Sequence, residues 1–237
     1  MNSIKILCII PARSGSKGIQ HKNIRDFKGK PLISWTIEQA QRCLYSTNMR
    51  IIVSTDSQEY ANIAKQYGAE VPFLRPSDIS HDSSTDYEYI SHAYDWLIKY
   101  ENYYPDIILQ LRPTQPCRKI ETIEECLKIF IDNYKSYDSL RSVIETEKSP
   151  FKMYLKENNY LKPLFYQIND IKEPYNQCRQ FIPSAFLHNG YIDILKPSIL
   201  KNKTISGDKI YPFIMNKTDS IDIDTQEDWY KAESNYS

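Results

Sequence analysis

Glycine is scarce in this chain. There are 6 glycines in 237 residues, so those in loops, Gly15, Gly18 and Gly190, are expected to have positional roles. An excess of charge of either sign is also missing: 30 Lys and Arg balance 30 Asp and Glu. That balance points away from nucleic acid or a membrane surface as the main partner. There is no signal-peptide pattern and no apolar run long enough to cross a bilayer, so the cytoplasm is the expected location. The five cysteines, Cys8, Cys43, Cys117, Cys126 and Cys178, are odd in number and none are in Cys-x-x-Cys spacing. Neither a disulfide framework nor a zinc site is indicated. The four histidines, His21, His81, His92 and His188, give no ligand pair at helical spacing and no Ser-His-Asp order. A hydrolase is therefore disfavoured.

What is present begins at the N-terminus. Ile4, Ile6, Leu7, Cys8, Ile9 and Ile10 read as a buried strand of a parallel sheet. A loop of glycines, serines and basic residues follows at once, from Arg13 to Asn23. Small residues let the backbone approach a ligand and present its N–H groups. Arg13, Lys17 and Lys22 add fixed positive charge, which makes a polyphosphate site. The glycine spacing fits neither a Walker A loop nor the dinucleotide Gly-x-Gly-x-x-Gly fingerprint.

Strand and helix signals then alternate. Strands are predicted at 4–10, 49–54, 71–74, 107–111, 139–144, 191–195 and 211–215. Helices are predicted at 31–45, 57–67, 85–100 and 120–134, and from Thr225 onward. Ser57 is an expected N-cap and Gly68 an expected C′ residue. This is an α/β domain spanning 1–237, with a Rossmann-like, mostly parallel sheet covered by helices on both faces. The rhythm breaks over 150–182, which carries Pro150, Pro163 and Pro174 and reads as an excursion from the sheet.

The block Ile9-Ile10-Pro11-Ala12-Arg13-Ser14-Gly15-Ser16-Lys17-Gly18-Ile19 with Lys22-Asn23-Ile24 resembles the signature of the acylneuraminate cytidylyltransferases. These are the CMP-sialic acid synthetases and relatives acting on related 3-deoxy-ulosonic acids. The likeness continues through Gly29–Ile33, Val53–Ser57, Val71–Pro76, Asp82–Thr85 and Ser220–Thr225. It implies a nucleotidyltransferase fold and CMP transfer from CTP to the anomeric hydroxyl of a sialic-acid-like nonulosonic acid, with release of pyrophosphate. It assigns triphosphate binding to Arg13, Ser16, Lys17 and Lys22, and places Asn23 near the base and ribose. It gives Arg75 and Ser84 to cytidine recognition, and makes 150–182 an arm that swaps across a homodimer.

Asp222-Ile223-Asp224 reads as strand, which would turn both carboxylates to one face. The resemblance makes them the Mg²⁺ ligands; a helix cap at Asp224 is the plainer alternative. Arg13, Lys17 and Asp222 are the expected catalytic residues. Arg179, Gln180 and Asn189 match the family's sugar-site elements, although Asn189-Gly190 can equally be an ordinary turn. Two positions depart from the family. Arg112 stands where it usually has a sugar-contacting glutamine, and in Asn189-Gly190-Tyr191-Ile192-Asp193 an aromatic sugar contact either becomes Asp193 or moves by two residues. Both changes fall on the sugar side. The rival acceptor is the eight-carbon acid Kdo, and the rival class is a nucleotide-binding protein without catalysis. Lys17→Ala is expected to lower turnover about tenfold or more, since a lost transition-state charge contact costs a few kcal/mol; steady-state kinetics with CTP checks this.

Overall fold

The structure is a computed structural model describing residues 4–16 and 18–236; Lys17 lies outside the described residues. A six-stranded sheet is built from β1 (Ile6–Pro11), β2 (Met49–Ser54), β3 (Ile107–Gln110), β4 (Ser139–Glu145), β5 (Phe186–Leu195) and β6 (Ile210–Met215), in the spatial order β6-β4-β5-β3-β1-β2. The helices are α1 (Leu32–Arg42), α2 (Gln58–Gln66), α3 (Asp86–Glu101), α4 (Ile120–Asp132) and α5 (Gln226–Asn235).

The continuous apolar runs of β1 to β3 bury both faces of the sheet, as parallel strands between helices must. Ile6, Cys8 and Ile10 pack with residues of α1, α2 and α4 on one side. Leu7 and Ile9 pack with Tyr89, Ile90, Ala93 and Leu97 of α3 on the other. A third cluster, with Ile19, Phe27, Leu32, Ile223 and Trp229, docks α5 beside the end of the sheet. The expected caps form. Ser57 accepts from the Tyr60 N–H, and Thr85 and Thr225 each complete a capping box, with Glu88 and Asp228. Gly68 ends α2 with φ of 87°.

The sheet is mixed rather than simply parallel. β1 pairs parallel with β2 and β3, and β6 parallel with β4, but β5 runs antiparallel to both neighbours. β5 is entered from the 150–182 excursion and not from a crossover helix, so nothing forces it parallel. It starts at Phe186, earlier than expected, and Asn189-Gly190 lies inside it at a register shift between His188 and Asp193.

Two other expected strands do not form. At 71–74 only the preceding residue pairs, Glu70 bridging Ile52; Pro72 has no N–H to extend the ladder. The 222–224 segment runs outside any strand, tied down by the Ile223 N–H donating to the Thr114 carbonyl at 2.9 Å. Residues 150–182 form two small antiparallel hairpins, 154–163 and 167–172, and short 3₁₀ turns outside the main sheet.

Candidate active site

The strand tips of β1, β2 and β3 open onto a cleft of about 540 Å³. The C-terminal edge of a parallel sheet is where such folds bind ligands. Of the residues singled out in the sequence, Arg13, Ser16, Lys22, Asn23, Arg75, Ser84, Arg112 and Asp224 line it. Asp222 is exposed and is not among the lining residues. Arg179 and Gln180 sit on the 150–182 excursion, and Asn189 is turned inward, so none of these three lines the cleft within one chain.

The loop after β1 is held from both sides. Asp56, just past β2, accepts from the Ser14 N–H at 2.8 Å and the Ser14 hydroxyl at 2.7 Å. Asn23 is buried and donates to the Arg13 carbonyl at 3.1 Å. Asn23 therefore shapes the loop as well as lining the cleft. Arg13 pairs with Asp82 at 2.6 Å. Arg75 is buried, donating to the Ser54 hydroxyl at 3.0 Å and lying over the Tyr89 ring at 4.7 Å. Burial lowers its guanidinium below the ordinary arginine value. Ser84 accepts from the His81 N–H at 2.9 Å.

The acidic segment is clamped against this loop. Lys22 donates to the Ile223 carbonyl at 2.7 Å and to the Asp224 carboxylate at 3.0 Å. Ile223 is buried between the two aspartates, and Thr225 rather than Asp224 supplies the cap of α5. Asp222 keeps solvent access, yet desolvation pushes its carboxyl above the ordinary value. The Thr114 hydrogen bond works against that rise and Asp224 adds to it. Two adjacent carboxylates that are costly to ionise together gain most from a shared cation. Among the described residues no group of three or more His, Cys, Asp or Glu could hold a metal. A pair of carboxylates suffices for Mg²⁺ that takes its remaining oxygens from phosphates and water. The donor set therefore fits Mg²⁺.

Arg112 is tied within the protein. It donates to Asp193 at 2.7 Å, to Asp86 at 2.5 Å and to the Gly190 carbonyl at 3.2 Å. Its charge is thus matched by two carboxylates, which the sequence did not indicate. Asn189 is engaged as well: its side-chain oxygen accepts from Ser142 at 2.7 Å and from the Tyr191 N–H at 3.2 Å. Arg118 was not foreseen. It is buried and donates to the Tyr191 carbonyl at 2.8 Å, the Arg112 carbonyl at 2.8 Å and the Gln39 side chain at 3.0 Å. Desolvation brings it down to about 10. It holds the 112–116 turn against β5. Asp56, Asp82, Asp86 and Tyr89 also escaped the sequence reading. The available signal was position, since Asp56 follows a strand tip and Asp86 and Tyr89 occupy the first turn of a helix that starts there.

A family model described as cytidylyltransferase matches residues 7–213. The chain belongs to the acylneuraminate cytidylyltransferase family. It is 37% identical over 234 residues to a CMP-N,N'-diacetyllegionaminic acid synthase of Legionella pneumophila, covering 97% of this chain and 95% of that one. It is 34% identical to an N-acylneuraminate cytidylyltransferase of Escherichia coli O18:K1:H7, with 96% of this chain matched but only 51% of the relative. The chain thus spans about half the length of that enzyme. Among solved structures, a CMP-2-keto-3-deoxy-manno-octonic acid synthetase complexed with CTP superposes with a TM-score of 0.68, 17% identity and 97% coverage of both chains. A 4-diphosphocytidyl-2C-methyl-D-erythritol synthase from Anaerococcus prevotii gives 0.59 at 13% identity, covering 98% of both chains. At these identities both speak for the fold alone. As well as through Lys22, the loop after β1 and the acidic segment touch at Gly18. A Cβ there would collide with the Asp224 carbonyl oxygen. Gly18→Ala is expected to weaken CTP binding about tenfold or more, because a misplaced catalytic group of this kind costs that much or more. Calorimetric titration with CTP, beside a thermal melt showing an intact fold, checks it.

Proposed function

We propose that this chain transfers CMP from CTP to the anomeric hydroxyl of a nonulosonic acid of the legionaminic and sialic class. The observation that carries the proposal is the 37% identity, along nearly the full length of both chains, to a CMP-N,N'-diacetyllegionaminic acid synthase. In the reaction the hydroxyl oxygen forms a bond to the α-phosphorus, the bond to the bridging α–β oxygen breaks, and pyrophosphate leaves with that electron pair. The hydroxyl proton passes to solvent or a neighbouring base. Catalysis of such transfers is mainly positioning and charge stabilisation.

The residues divide by place. Arg13, Ser16, Lys17 and Lys22 hold the triphosphate, and Arg75, Ser84 and Asn23 the cytidine end. Asp222 and Asp224 would hold Mg²⁺, which would supply charge neutralisation at the phosphates and a lowered pKa for the attacking hydroxyl. Lys22 has a double role, since it already grips Asp224 and must share it. Arg13 offers a forked donor for phosphate oxygens and releases Asp82 as it turns to them.

The 150–182 excursion acts as a dimerisation arm. Leu155, Tyr160, Leu161, Phe165 and Tyr166 on it are exposed, more apolar surface than an excursion of one isolated subunit needs. Homodimerisation covers it and carries Arg179 and Gln180 towards the partner's acceptor site. Among the described residues no helix is long and apolar enough to cross a membrane.

The experiment is pyrophosphate release with CTP, Mg²⁺ and a panel of legionaminate, N-acetylneuraminate, pseudaminate and Kdo. A nine-carbon acid is expected to exceed Kdo at least about tenfold in kcat/KM, the scale that one or two specific contacts supply. Release with Kdo alone would overturn the acceptor class. The double variant Asp222→Asn with Asp224→Asn is expected to lose about 100-fold or more of turnover and its response to added Mg²⁺; a Mg²⁺ titration matching the parent enzyme would remove both aspartates from metal binding.

A further inference from the structure

Arg112 has two ends that differ in kind. Its Nη1 meets Asp193, whose side chain is 4% exposed, and the Gly190 carbonyl. Its Nη2 meets Asp86, whose side chain is 36% exposed and lines the cleft. Asp193 is itself surrounded: the His188 ring lies at 2.8 Å, and the Arg112 and Arg141 guanidiniums at 2.7 Å and 3.8 Å. Burial works to raise its carboxyl, and these partners more than offset that, holding it below the ordinary aspartate value. Removing Arg112 from Asp193 would strand a buried charge, whereas removing it from Asp86 returns an exposed carboxylate to water. The Nη1 end is therefore fixed and the Nη2 end exchangeable.

Asp86 is well placed to be the exchangeable partner. Its other oxygen accepts from the Tyr89 hydroxyl at 2.9 Å, and Tyr89 in turn accepts from Gln110. Asp86 thus stays oriented when Arg112 leaves it. Arg112, Pro113, Thr114 and Asp86 line the same cleft as the loop after β1 and Arg75. An acceptor brought to a nucleotide held by that loop therefore comes within reach of this lining.

We propose that the Nη2 edge of Arg112 takes the carboxylate of the acceptor acid, that Asp86 competes for that edge, and that Asp193 is the positioning residue that keeps it aimed at the cleft. This deepens the proposed function and rests on it. The two aspartates then act on one guanidinium with opposite sign. Removing the competitor tightens acceptor binding, and removing the anchor weakens it. Asp86 also makes acceptor binding self-limiting, because a cleft without a carboxylate-bearing ligand presents a matched ion pair in place of a bare cation.

The test uses the full-length protein in two measurements. Calorimetry gives dissociation constants for legionaminate and N-acetylneuraminate in the presence of CDP, where no transfer occurs, and for CDP alone. Pyrophosphate release by the parent enzyme is run in parallel. Asp86→Asn keeps an oxygen for Tyr89 but cannot accept from Arg112. It is expected to tighten acid binding about two- to fivefold, the worth of an exposed ion pair. Asp193→Asn is expected to weaken acid binding about tenfold or more, the worth of a charged hydrogen bond. The CDP constant is expected to stay within about twofold in both variants, since neither change touches the phosphate loop. Asp86→Asn weakening the acid or leaving it unchanged overturns the proposal, as does a CDP constant that moves in step with it. Should Asp193→Asn fail to fold, the sign of the Asp86→Asn effect decides alone. Acid binding that responds as expected in a parent enzyme releasing no pyrophosphate would overturn the transfer reaction and leave the Arg112 assignment standing.

Discussion

The whole site depends on one tether, the Ile223 N–H donating to the Thr114 carbonyl. It lays a segment from the far end of the sequence across the tips of β1 and β3. Ile223 is buried among Ile19, Phe27 and Trp229, and Lys22 grips the same segment from the phosphate loop. With the middle residue sealed, Asp222 and Asp224 are left outside, next to each other and next to the cleft. A strand would have given the same alternation, but a sheet edge is not required. A single backbone hydrogen bond and a buried isoleucine achieve the alternation where the ladder has ended. Gly18 completes the fit from the opposing side, its missing Cβ leaving room for the Asp224 carbonyl.

Three cations that line the cleft are held by carboxylates. Arg13 faces Asp82, Lys22 faces Asp224, and Arg112 faces Asp86 and Asp193. Under the proposed function, a substrate carrying a triphosphate and a carboxylate brings its own negative charge and would compete with these aspartates rather than fill a bare positive hole. Such competition weakens binding relative to unpaired cations, and it also keeps the cations oriented without the cost of ordering long side chains at each encounter. The freed carboxylates remain in the cleft, where a divalent cation can take them up.

Much of this was legible in the chain because it is local. The continuous apolar runs marked β1, β2 and β3, with 49–54 matching to the residue. Ser57, Thr85 and Thr225 marked helix starts through a chemistry that spans only a few residues. What was not legible is long-range. The antiparallel sense of β5 depends on how the chain returns from the 150–182 excursion, and no periodicity encodes that. The strand expected at 71–74 failed on a single missing N–H at Pro72 beside an otherwise suitable apolar run. The ion pairs of Arg112 are hidden from a local reading because its partners lie 26 and 81 residues away in sequence. The contact of Arg118 with β5 is hidden by a similar separation, 73 residues.

The two departures from the family pattern turn out to be one feature. Arg112 and Asp193 bond to each other, so neither substitution stands without its partner. An arginine at 112 facing an aromatic residue at 193 would lose its buried counter-charge; an aspartate at 193 facing a glutamine would bury a carboxylate with only His188 and Arg141 to offset it. Gly190 ties the pair to the bulge of β5: its φ is +64°, and a side chain there would press on the Arg112 guanidinium at 3.2 Å. The bulge, the glycine and the ion pair therefore constrain one another, and a substitution at any one of them must be accommodated by the other two.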